Sequence, residues 1–581
     1  MDRKTLFTFI TVYSFALGAA LCFGGNEEID ATSVVDQPSS YILQGESMDE
    51  VLAAVRSVGG EITHELGIID AVAATLTEDE VAVLEQRGNL QITLDVAVEV
   101  AGKPAGGAKD TADPSTDYPN LTSATALHAE GITGSGVTVA VLDSGSMSHV
   151  SLNKTPKGEW RFLSQYDATT DEVVAQINMD HLGTKRAGTG ITSDDGAGHG
   201  THVQSVIVSS ATGSNGFYNG IAPYAYLVSV KAFDANGQGS YADVIRGIDW
   251  IVANQDYLGI DILNLSLSAS PQSHYWDDPL NKAVMRAWQA GIVVVVSAGN
   301  TGPDPMTIGV PGNVPYVITV GAMTDNYTPG VDNDDVLASF SAAGPTVEGF
   351  VKPEVVAPGG HIVGLMNNTM TIAAAHPEYH DGGAYFTMSG TSQSASVVSG
   401  IAALILEAEP HLTPDQVKCK IMSAARPAVK ADGNLAYSVF QQGAGMVNAY
   451  DAVHGTNYDC ANNGMDINAD LSGTVHYGGR ANVDENGNYY IMDLEGYLWT
   501  NGELQNDGYL WTNGYLWTNG YLWTNAYLWT NGEVGTDGYL WTNGYLWTNG
   551  YLWTNGYLWT NGFAGNATTE TMSINNWVDQ E

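Results

Sequence analysis

The sequence predicts an α/β protein whose core, over residues 118–455, is a doubly wound parallel sheet. Apolar, β-branched runs without polar alternation indicate strands buried on both faces: VTVAVL, LVSVKAF, ILNLSL and IVVVVSAG. Segments with helical spacing, such as YADVIRGIDWIVANQ and NKAVMRAWQAG, lie between these runs. Strands that alternate with helices form parallel sheets covered on both faces, and functional groups collect at the carboxyl ends of those strands.

A small α+β unit is predicted before this core, over residues 40–100. Its apolar pattern gives strand, helix, two strands, helix and strand, which is the order of a ferredoxin-like domain. The second helix begins with a capping box of Thr77 and Glu80 and is expected to stop at Gly88. The segment LQITLDVAVEV is expected to close the unit as one strand. Residues 101–117, rich in Gly, Ala and Pro, are predicted to be an exposed linker.

The first 25 residues have the basic start, apolar run and small residues of a secretory signal peptide, with a membrane anchor as the alternative. We therefore predict an exported protein, secreted or associated with the cell surface. Cleavage near Cys22 leaves Cys419 and Cys460, which either form one disulfide or remain two thiols. Two cysteines without CxxC spacing do not indicate a metal site.

The acidic composition argues against a nucleic-acid partner. The chain has 64 acidic and 21 basic side chains, a formal net charge of −43. Phosphates would be repelled by such a surface, whereas a solvated acidic surface keeps an exported protein soluble.

Three motifs at predicted strand ends or helix starts carry residues suited to nucleophilic catalysis. VAVLDSG places Asp143 at the end of the first buried strand, DDGAGHGTHV places His199 between glycines, and TMSGTSQSAS places Ser392 at the start of a long apolar helix. A serine needs a base to remove its proton, imidazole titrates near working pH, and a carboxylate can fix the imidazole tautomer. A helix N-terminus also offers N–H groups to developing negative charge.

The order Asp, His, Ser within these motifs resembles the subtilisin family of serine proteases, over roughly residues 118–453. The segments IAPYAYLVSVKAF, SAGN, KPEVVAPGG and GAGMVNAYDAV extend the resemblance. It implies a subtilisin-like fold, a Ser392–His199–Asp143 triad and protein or peptide substrates. It also implies that Asn300 donates to the oxyanion, and that His202 has no catalytic role.

The resemblance further implies two substrate-binding strands, which would pair with an extended peptide. Their residues, together with Gly299, which permits close substrate approach, are Gly237, Gln238, Gly239, Ser266, Leu267 and Ser268. Ser268 replaces the usual family glycine, which puts the depth of the side-chain pocket in question. Gln393-Ser394 and Ser396-Val397 likewise replace the family's usual Met-Ala and Pro-His pairs, and we expect activity to survive these exchanges.

By the same resemblance, residues 40–100 are a propeptide that assists folding and inhibits the enzyme, with cleavage between Val100 and Asp117. A permanent accessory domain is the alternative. The chemistry requires no cofactor. Calcium is common in the family, and the acidic stretch DNYTPGVDNDDV could supply carboxylates, but a solvated loop explains that stretch equally well and no ligand is assigned.

A connector, residues 456–495, leads to a GYLWTN hexapeptide repeat over residues 496–562, followed by a tail, 563–581. Nine good copies and two degenerate ones, GELQND and GEVGTD, keep the six-residue step. The repeat is predicted to be all-β, either a meander with Asn-Gly turns or a β-solenoid with stacked hexads. Its tryptophans could bind polysaccharide, a cell surface or a second copy of the chain.

Taken together, the sequence predicts a secreted serine endopeptidase made as a self-inhibited precursor. The alternative is a surface adhesion or structural protein with an inactive protease-like domain.

Overall fold

The computed structural model describes residues 38–100, 103–104, 117–176, 191–328, 334–430, 434–483, 488–491 and short strands between 504 and 558. The predicted signal peptide, most of the linker and the tail lie outside these residues. Within the described ranges, no helix has the length and apolarity needed to cross a membrane.

The N-terminal unit is a four-stranded antiparallel sheet with two helices, and its strand order, β2-β3-β1-β4, is that of a split βαβ domain. Thr77 and Glu80 form the expected capping box at the start of the second helix. The elements are β1 Ser39–Gln44, α1 Met48–Val58, β2 Glu61–Leu66, β3 Ala71–Leu76, α2 Glu78–Glu85 and β4 Gln91–Leu94.

The prediction of one closing strand from LQITLDVAVEV is wrong. The segment forms two strands, β4 and β5 Ala97–Val100, which belong to different sheets. Asp95 lies at the break, where its carboxylate accepts hydrogen bonds from the Ser40 hydroxyl and from the Ala242 backbone N–H of the following domain. These two contacts turn the chain out of the N-terminal sheet and toward the core.

The core contains one large mixed sheet and several small ones. Its strands begin with β6 Lys103–Pro104, β7 Thr138–Asp143, β8 Phe162–Asp167, β9 Glu172–Gln176, β10 Tyr226–Lys231, β11 Gln238–Ser240, β12 Ile260–Leu265 and β13 Leu267–Ser268. They continue with β14 Val293–Ser297, β15 Ile318–Thr324, β16 Val336–Leu337, β17 Val355–Pro358, β18 Ile362–Leu365 and β19 Tyr385–Ser389.

Four long helices pack on this sheet, α6 against α11 and α7 against α9. The helices of the core are α3 Tyr118–Leu121, α4 Ala124–Glu130, α5 Val150–Asn153, α6 His199–Val208, α7 Tyr241–Ala253, α8 Gln255–Leu258, α9 Pro279–Gln289, α10 Thr371–Ala375, α11 Thr391–Ala408, α12 Pro414–Ala424, α13 Val439–Gln442 and α14 Ala449–His454. Short 3₁₀ turns cover Gly67–Ile69 and Pro377–Tyr379.

The large sheet confirms the predicted doubly wound core. Its order is β16-β15-β14-β12-β7-β10-β8-β9, with β17 beside β15. All pairs are parallel except those of the edge strands β16 and β9. Strand β7 is central and buried along its whole length, so its carboxyl end, at Asp143, opens at the middle of one sheet edge.

Much of the predicted connector is folded onto the core. Helix α15 Ile467–Leu471 carries Asp470, a buried carboxylate that accepts hydrogen bonds from the hydroxyls of Tyr275, at 2.7 Å, and Tyr316, at 3.0 Å. Beyond it, β20 Ala481–Val483 pairs with β21 Tyr489–Ile491. Cys460 of this extension forms a disulfide with Cys419 of α12, which decides between the two cysteine alternatives.

In the repeat, the Leu-Trp-Thr part of successive hexads forms short strands that pair in parallel with the strand eighteen residues further on. Leu510 is thus the register partner of Leu528, and Leu528 of Leu546. A meander would be antiparallel, so this register favours the solenoid alternative, with three hexads in each turn. The strands are β22 Leu504–Asn506, β23 Leu510–Thr512, β24 Leu516–Thr518, β25 Leu522–Thr524, β26 Leu528–Thr530, β27 Val534–Thr536, β28 Leu540–Thr542, β29 Tyr545–Thr548 and β30 Tyr557–Leu558.

Candidate active site

Asp143 and His199 form a buried, hydrogen-bonded pair. Asp143 is the last residue of β7 and His199 the first of α6. The His199 Nδ1 atom lies 2.8 Å from one carboxylate oxygen of Asp143 and 3.0 Å from the other. Because the carboxylate can only accept, it holds the proton on Nδ1 and leaves a lone pair on Nε2. Nε2 is buried and has no hydrogen-bond partner within the described structure.

A second buried carboxylate, that of Asp195, shapes the loop that presents His199. One of its oxygens accepts the Gly198 N–H at 2.7 Å and the Ser144 hydroxyl at 2.9 Å. The other accepts the Thr201 N–H at 2.8 Å and the Thr201 hydroxyl at 2.6 Å. Gly198 adopts a φ of +100°, which lets the chain enter the helix at the histidine. These bonds fix the start of α6 relative to the end of β7.

Ser392 lies in the first turn of α11, where the N–H groups of a helix have no partner within the helix. Its hydroxyl donates to the Ser266 carbonyl at 3.2 Å, and its own carbonyl accepts the Ser266 hydroxyl at 3.0 Å and the Ser396 hydroxyl at 2.8 Å. Ser266 therefore lies against Ser392, and Leu267, the next residue, is fully buried.

His202 and Gln393 connect α6, which begins at His199, to α11, which carries Ser392. The Gln393 side-chain amide donates to His202 Nδ1 at 3.4 Å. The other ring nitrogen lies 3.2 Å from the carbonyls of both Ile362 and Phe386. Burial, and next the nearby His199, lower the pKa of His202 to about 3. His202 is thus a neutral histidine that joins helices α6 and α11.

Asn300 follows β14 and is oriented by Thr391, the residue before the nucleophile. The Asn300 Oδ1 atom accepts the Thr391 N–H at 3.0 Å and the Thr391 hydroxyl at 2.9 Å. The same hydroxyl accepts the Gly299 N–H at 3.2 Å. With its oxygen held in this way, the amide directs its NH₂ group away from Thr391. The NH₂ group is therefore the part of the Asn300 side chain that can donate.

Strand β5 of the N-terminal segment lies between the two predicted substrate-binding strands. It pairs antiparallel with β11, where Glu99 is the partner of Gln238 and Val98 of Gly239. On its other side it pairs with β13, where Val100 is the partner of Leu267. Gly237 precedes β11 in a turn with a φ of +70°.

Two residues that organise the site were not predicted from the sequence, Asp195 and Thr391. Asp195 stands three residues before Gly198, the N-cap of α6, and an acidic residue ahead of a helix start is the available signal. Thr391 lies between the helix-capping Gly390 and the nucleophile. The Thr391 hydroxyl donates to Asn300 and accepts from Gly299, and the sequence alone does not indicate these contacts.

The described residues contain no group of three or more His, Cys, Asp or Glu side chains arranged to hold a metal ion. Part of the acidic stretch considered for calcium, residues 329–333, lies outside them. Thr328 and Asp334, which flank this part, are hydrogen-bonded to each other. No metal ligand is assigned among the described residues.

Comparison with known proteins shows which family the chain resembles. The model of the subtilase family matches residues 134–445. The serine protease AprX of Bacillus subtilis strain 168 is 41% identical over 329 residues, covering 56% of this chain and 67% of AprX. Subtilisin E of the same organism is 32% identical over 372 residues, covering 63% of this chain and 78% of that protein.

One solved structure is also similar, that of fervidolysin from Fervidobacterium pennivorans, a keratinolytic enzyme related to subtilisin. It superposes with a TM-score of 0.55 at 22% identity, over 74% of this chain and 62% of fervidolysin. This chain thus spans less than two thirds of that structure, and the likeness concerns the fold alone.

Proposed function

The chain belongs to the subtilase family of serine endopeptidases, and we propose that it hydrolyses extracellular proteins through Ser392, His199, Asp143 and Asn300. The observation that carries the proposal is the buried Asp143–His199 pair, with distances of 2.8 and 3.0 Å, at a sheet edge where the Ser392 turn also lies. A carboxylate–imidazole pair of this kind prepares a base for a serine hydroxyl.

In the proposed reaction, the Ser392 oxygen attacks the substrate carbonyl while His199 Nε2 takes the hydroxyl proton. Asp143 keeps the ring in the required tautomer and stabilises the imidazolium that forms. The oxyanion accepts hydrogen bonds from the Asn300 amide and from N–H groups of the first turn of α11. His199 then returns the proton to the leaving amine, and water hydrolyses the acyl-enzyme by the same steps in reverse order.

Substrate is proposed to bind as an extended strand in the groove between β11 and β13. The backbone groups of Gln238, Gly239, Leu267 and Ser268 already pair with a strand of this chain, β5. Main-chain pairing of this kind gives affinity without regard to side chains, as in β-augmentation generally. A peptide in the same position would run past Ser266 toward the nucleophile.

We further propose that residues 40–100 are an inhibitory propeptide, because they fill this groove and dock beside it. Lys282 of the core donates to the side chains of Gln44 and Gln91, at 2.9 Å each. His64 lies 3.2 Å from Asp243 near the start of α7. Val98 of β5 is fully buried. A substrate would have to displace β5, so the precursor is expected to be inactive.

The pairings on either side of the catalytic serine support Ala101–Gly102 as the processed bond. Strand β13 pairs Leu267 with Val100, and strand β19 pairs Ser389 with Lys103 beyond the site. Only Ala101 and Gly102 separate these two described partners in the sequence, so we propose the bond between them as the one that is cleaved. Residues 101 and 102 lie outside the described residues. The proposed bond therefore follows from the described partners Val100 and Lys103. It is one bond within the interval from Val100 to Asp117 in which cleavage was predicted.

We expect the first N-terminal fragment released from the full chain to end at Ala101, and the complementary fragment to begin at Gly102. Intact mass spectrometry of both fragments early in processing measures this. The Ser392→Ala variant is the control and should remain a full-length precursor that does not digest casein. Processing of that variant, or a first cut at another bond, would contradict the proposal.

Secretion is proposed from the N-terminal leader and fits the disulfide between Cys419 and Cys460, since disulfides persist in oxidising compartments. No cofactor is proposed for the chemistry. Structural calcium remains a proposal, with the acidic stretch 325–336 as the source of carboxylates and no individual ligand assigned.

The C-terminal repeat is proposed to bind insoluble material, such as polysaccharide, a cell surface or aggregated protein. Its parallel register places tryptophans of successive turns opposite one another on neighbouring strands, and Trp529 is the register partner of both Trp511 and Trp547. A regular array of one residue type suits a ligand that is itself repetitive.

A truncation ending at Glu495 tests this role. We expect the truncated enzyme to digest soluble casein at the full-length rate but to lose most of its activity on a particulate protein substrate, because only the second requires adsorption. The two rates, and sedimentation of the protein with the particles, are the measurements. Equal loss on both substrates would make the repeat a folding aid.

A further inference from the structure

Ser268 borders the groove that is proposed to bind the substrate. It is the last residue of β13, and its partner in β5 is Glu99. Directly opposed residues of an antiparallel pair project to the same face, and so does the residue two positions along. In a bound peptide the residue opposite Ser266, which is on the acyl side of the cleaved bond (P1), therefore projects to the face that carries the Ser268 side chain.

The Ser268 hydroxyl lies between two glycines on that face. A Cβ atom built on Gly309 would stand 2.0 Å from the Ser268 Oγ atom, and one built on Gly299 would stand 3.1 Å from it. The hydroxyl thus fills the space that a side chain at Gly309 would take. Gly299 directly precedes Asn300, so this space adjoins the proposed oxyanion donor.

The walls around this hydroxyl are tied together by backbone hydrogen bonds. Ala269 and Val310 exchange N–H to carbonyl bonds of 2.9 and 2.8 Å, and the Gly309 N–H donates to the Ala298 carbonyl at 3.2 Å. The Ser297 hydroxyl donates to the Leu267 carbonyl at 3.0 Å. These bonds link three chain segments, 267–269, 297–298 and 309–310. One segment therefore cannot move away from Ser268 without breaking hydrogen bonds to the others.

We infer that Ser268 is a specificity-determining residue that restricts P1 to small side chains. The inference rests on the proposed endopeptidase function and adds the class of substrate. The hydroxyl and Cβ of Ser268 reduce the depth available between Gly299 and Gly309, so alanine fits and an aromatic ring does not. The residue on the acyl side of the proposed processing bond is Ala101, which has the expected size.

Hydrolysis of four peptide p-nitroanilides, Val-Glu-Val-X with X as Ala, Val, Leu or Phe, tests the inference. Their first three residues copy Val98, Glu99 and Val100, so only P1 varies. For the mature wild-type enzyme we expect kcat/KM to fall at least about tenfold from Ala to Phe, since one methylene in a closed pocket changes kcat/KM by roughly 10–200-fold. In Ser268→Gly the Phe-to-Ala ratio of kcat/KM should rise at least about tenfold, and in Ser268→Ala by less.

Ser270→Gly is the matched control, because Ser270 is an exposed serine two residues beyond the pocket. It should leave the wild-type Phe-to-Ala ratio in place. A wild-type enzyme that hydrolyses the Phe peptide as well as the Ala peptide would overturn the inference, as would a ratio that does not change in Ser268→Gly. These results leave peptide hydrolysis intact. Failure of the folded wild-type enzyme to hydrolyse any of the four peptides would instead contradict the proposed function, and the inference with it.

Discussion

Replacing Asp143 with asparagine is expected to lower kcat by about 10⁴-fold, the magnitude established for the equivalent change in a serine protease triad. The Oδ1 atom of Asp143 accepts the Ser144 N–H at 2.7 Å as well as the His199 ring N–H, and Oδ2 lies 3.0 Å from the same ring nitrogen. With Ser144 holding the amide oxygen at Oδ1, an NH₂ group at Oδ2 would donate toward His199 Nδ1. The ring would then carry its proton on Nε2 and could not accept the Ser392 proton.

Steady-state kinetics on a small-P1 peptide measures this effect, with circular dichroism to verify folding. Asp256→Asn provides the matched control, because Asp256 is exposed on α8, and it should retain the wild-type rate. An Asp143→Asn enzyme within tenfold of wild type would show that the carboxylate does not set the tautomer of His199.

Replacing Asn300 with alanine is expected to lower kcat by roughly 10²–10³-fold with little change in KM, the magnitude known from subtilisin itself. The oxyanion exists only after attack on the carbonyl, so losing its donor affects the transition state and hardly affects substrate binding. Asn300 also accepts two hydrogen bonds from Thr391, and the alanine variant alone does not separate this structural role from the donor role.

The Asn300→Asp variant separates the two roles. A carboxylate keeps the acceptor for the Thr391 N–H and hydroxyl, but it replaces the donor with a second negative oxygen. We expect its kcat to fall at least as far as that of Asn300→Ala. If Asn300→Asp retained near wild-type kcat, the side chain would serve only to hold Thr391.

The catalytic fold was predictable because its signals are local and strong. Continuous Val and Ile runs such as 293–296 are buried on both faces, as parallel central strands require. The candidate triad residues were predictable for a related reason. Asp143 ends such a strand, and His199 and Ser392 begin apolar helices, so a parallel sheet brings them to one edge.

What the sequence did not disclose depends on contacts between distant segments. The break between β4 and β5 arises where Asp95 accepts the Ala242 N–H of another domain, 147 residues away. Within LQITLDVAVEV itself, one acidic residue interrupts an otherwise good strand pattern. The role of Asp195 was not predictable for the same reason. Its carboxylate accepts four hydrogen bonds, and only the folded loop brings the four donors together.

The folding of the C-terminal extension onto the core also depends on distant contacts. Residues 456–483 are rich in Gly, Asn and Asp, a composition typical of exposed chain. Asp470 is nevertheless buried, because the hydroxyls of Tyr275 and Tyr316 and a ring nitrogen of His476, at 2.8 Å, satisfy its carboxylate. A buried polar group with complete partners cannot be distinguished from a solvated one by composition.

The most direct test of the account is to treat the processed enzyme with a fluorophosphonate and locate the adduct by peptide mass mapping. A serine activated by an imidazole, beside oxyanion donors, should be phosphonylated once per chain, on Ser392, while the Asp143→Asn enzyme reacts far more slowly. A folded, processed protein that takes up no label, or that carries it on a different residue, would contradict the claim that Ser392, His199 and Asp143 form one working site.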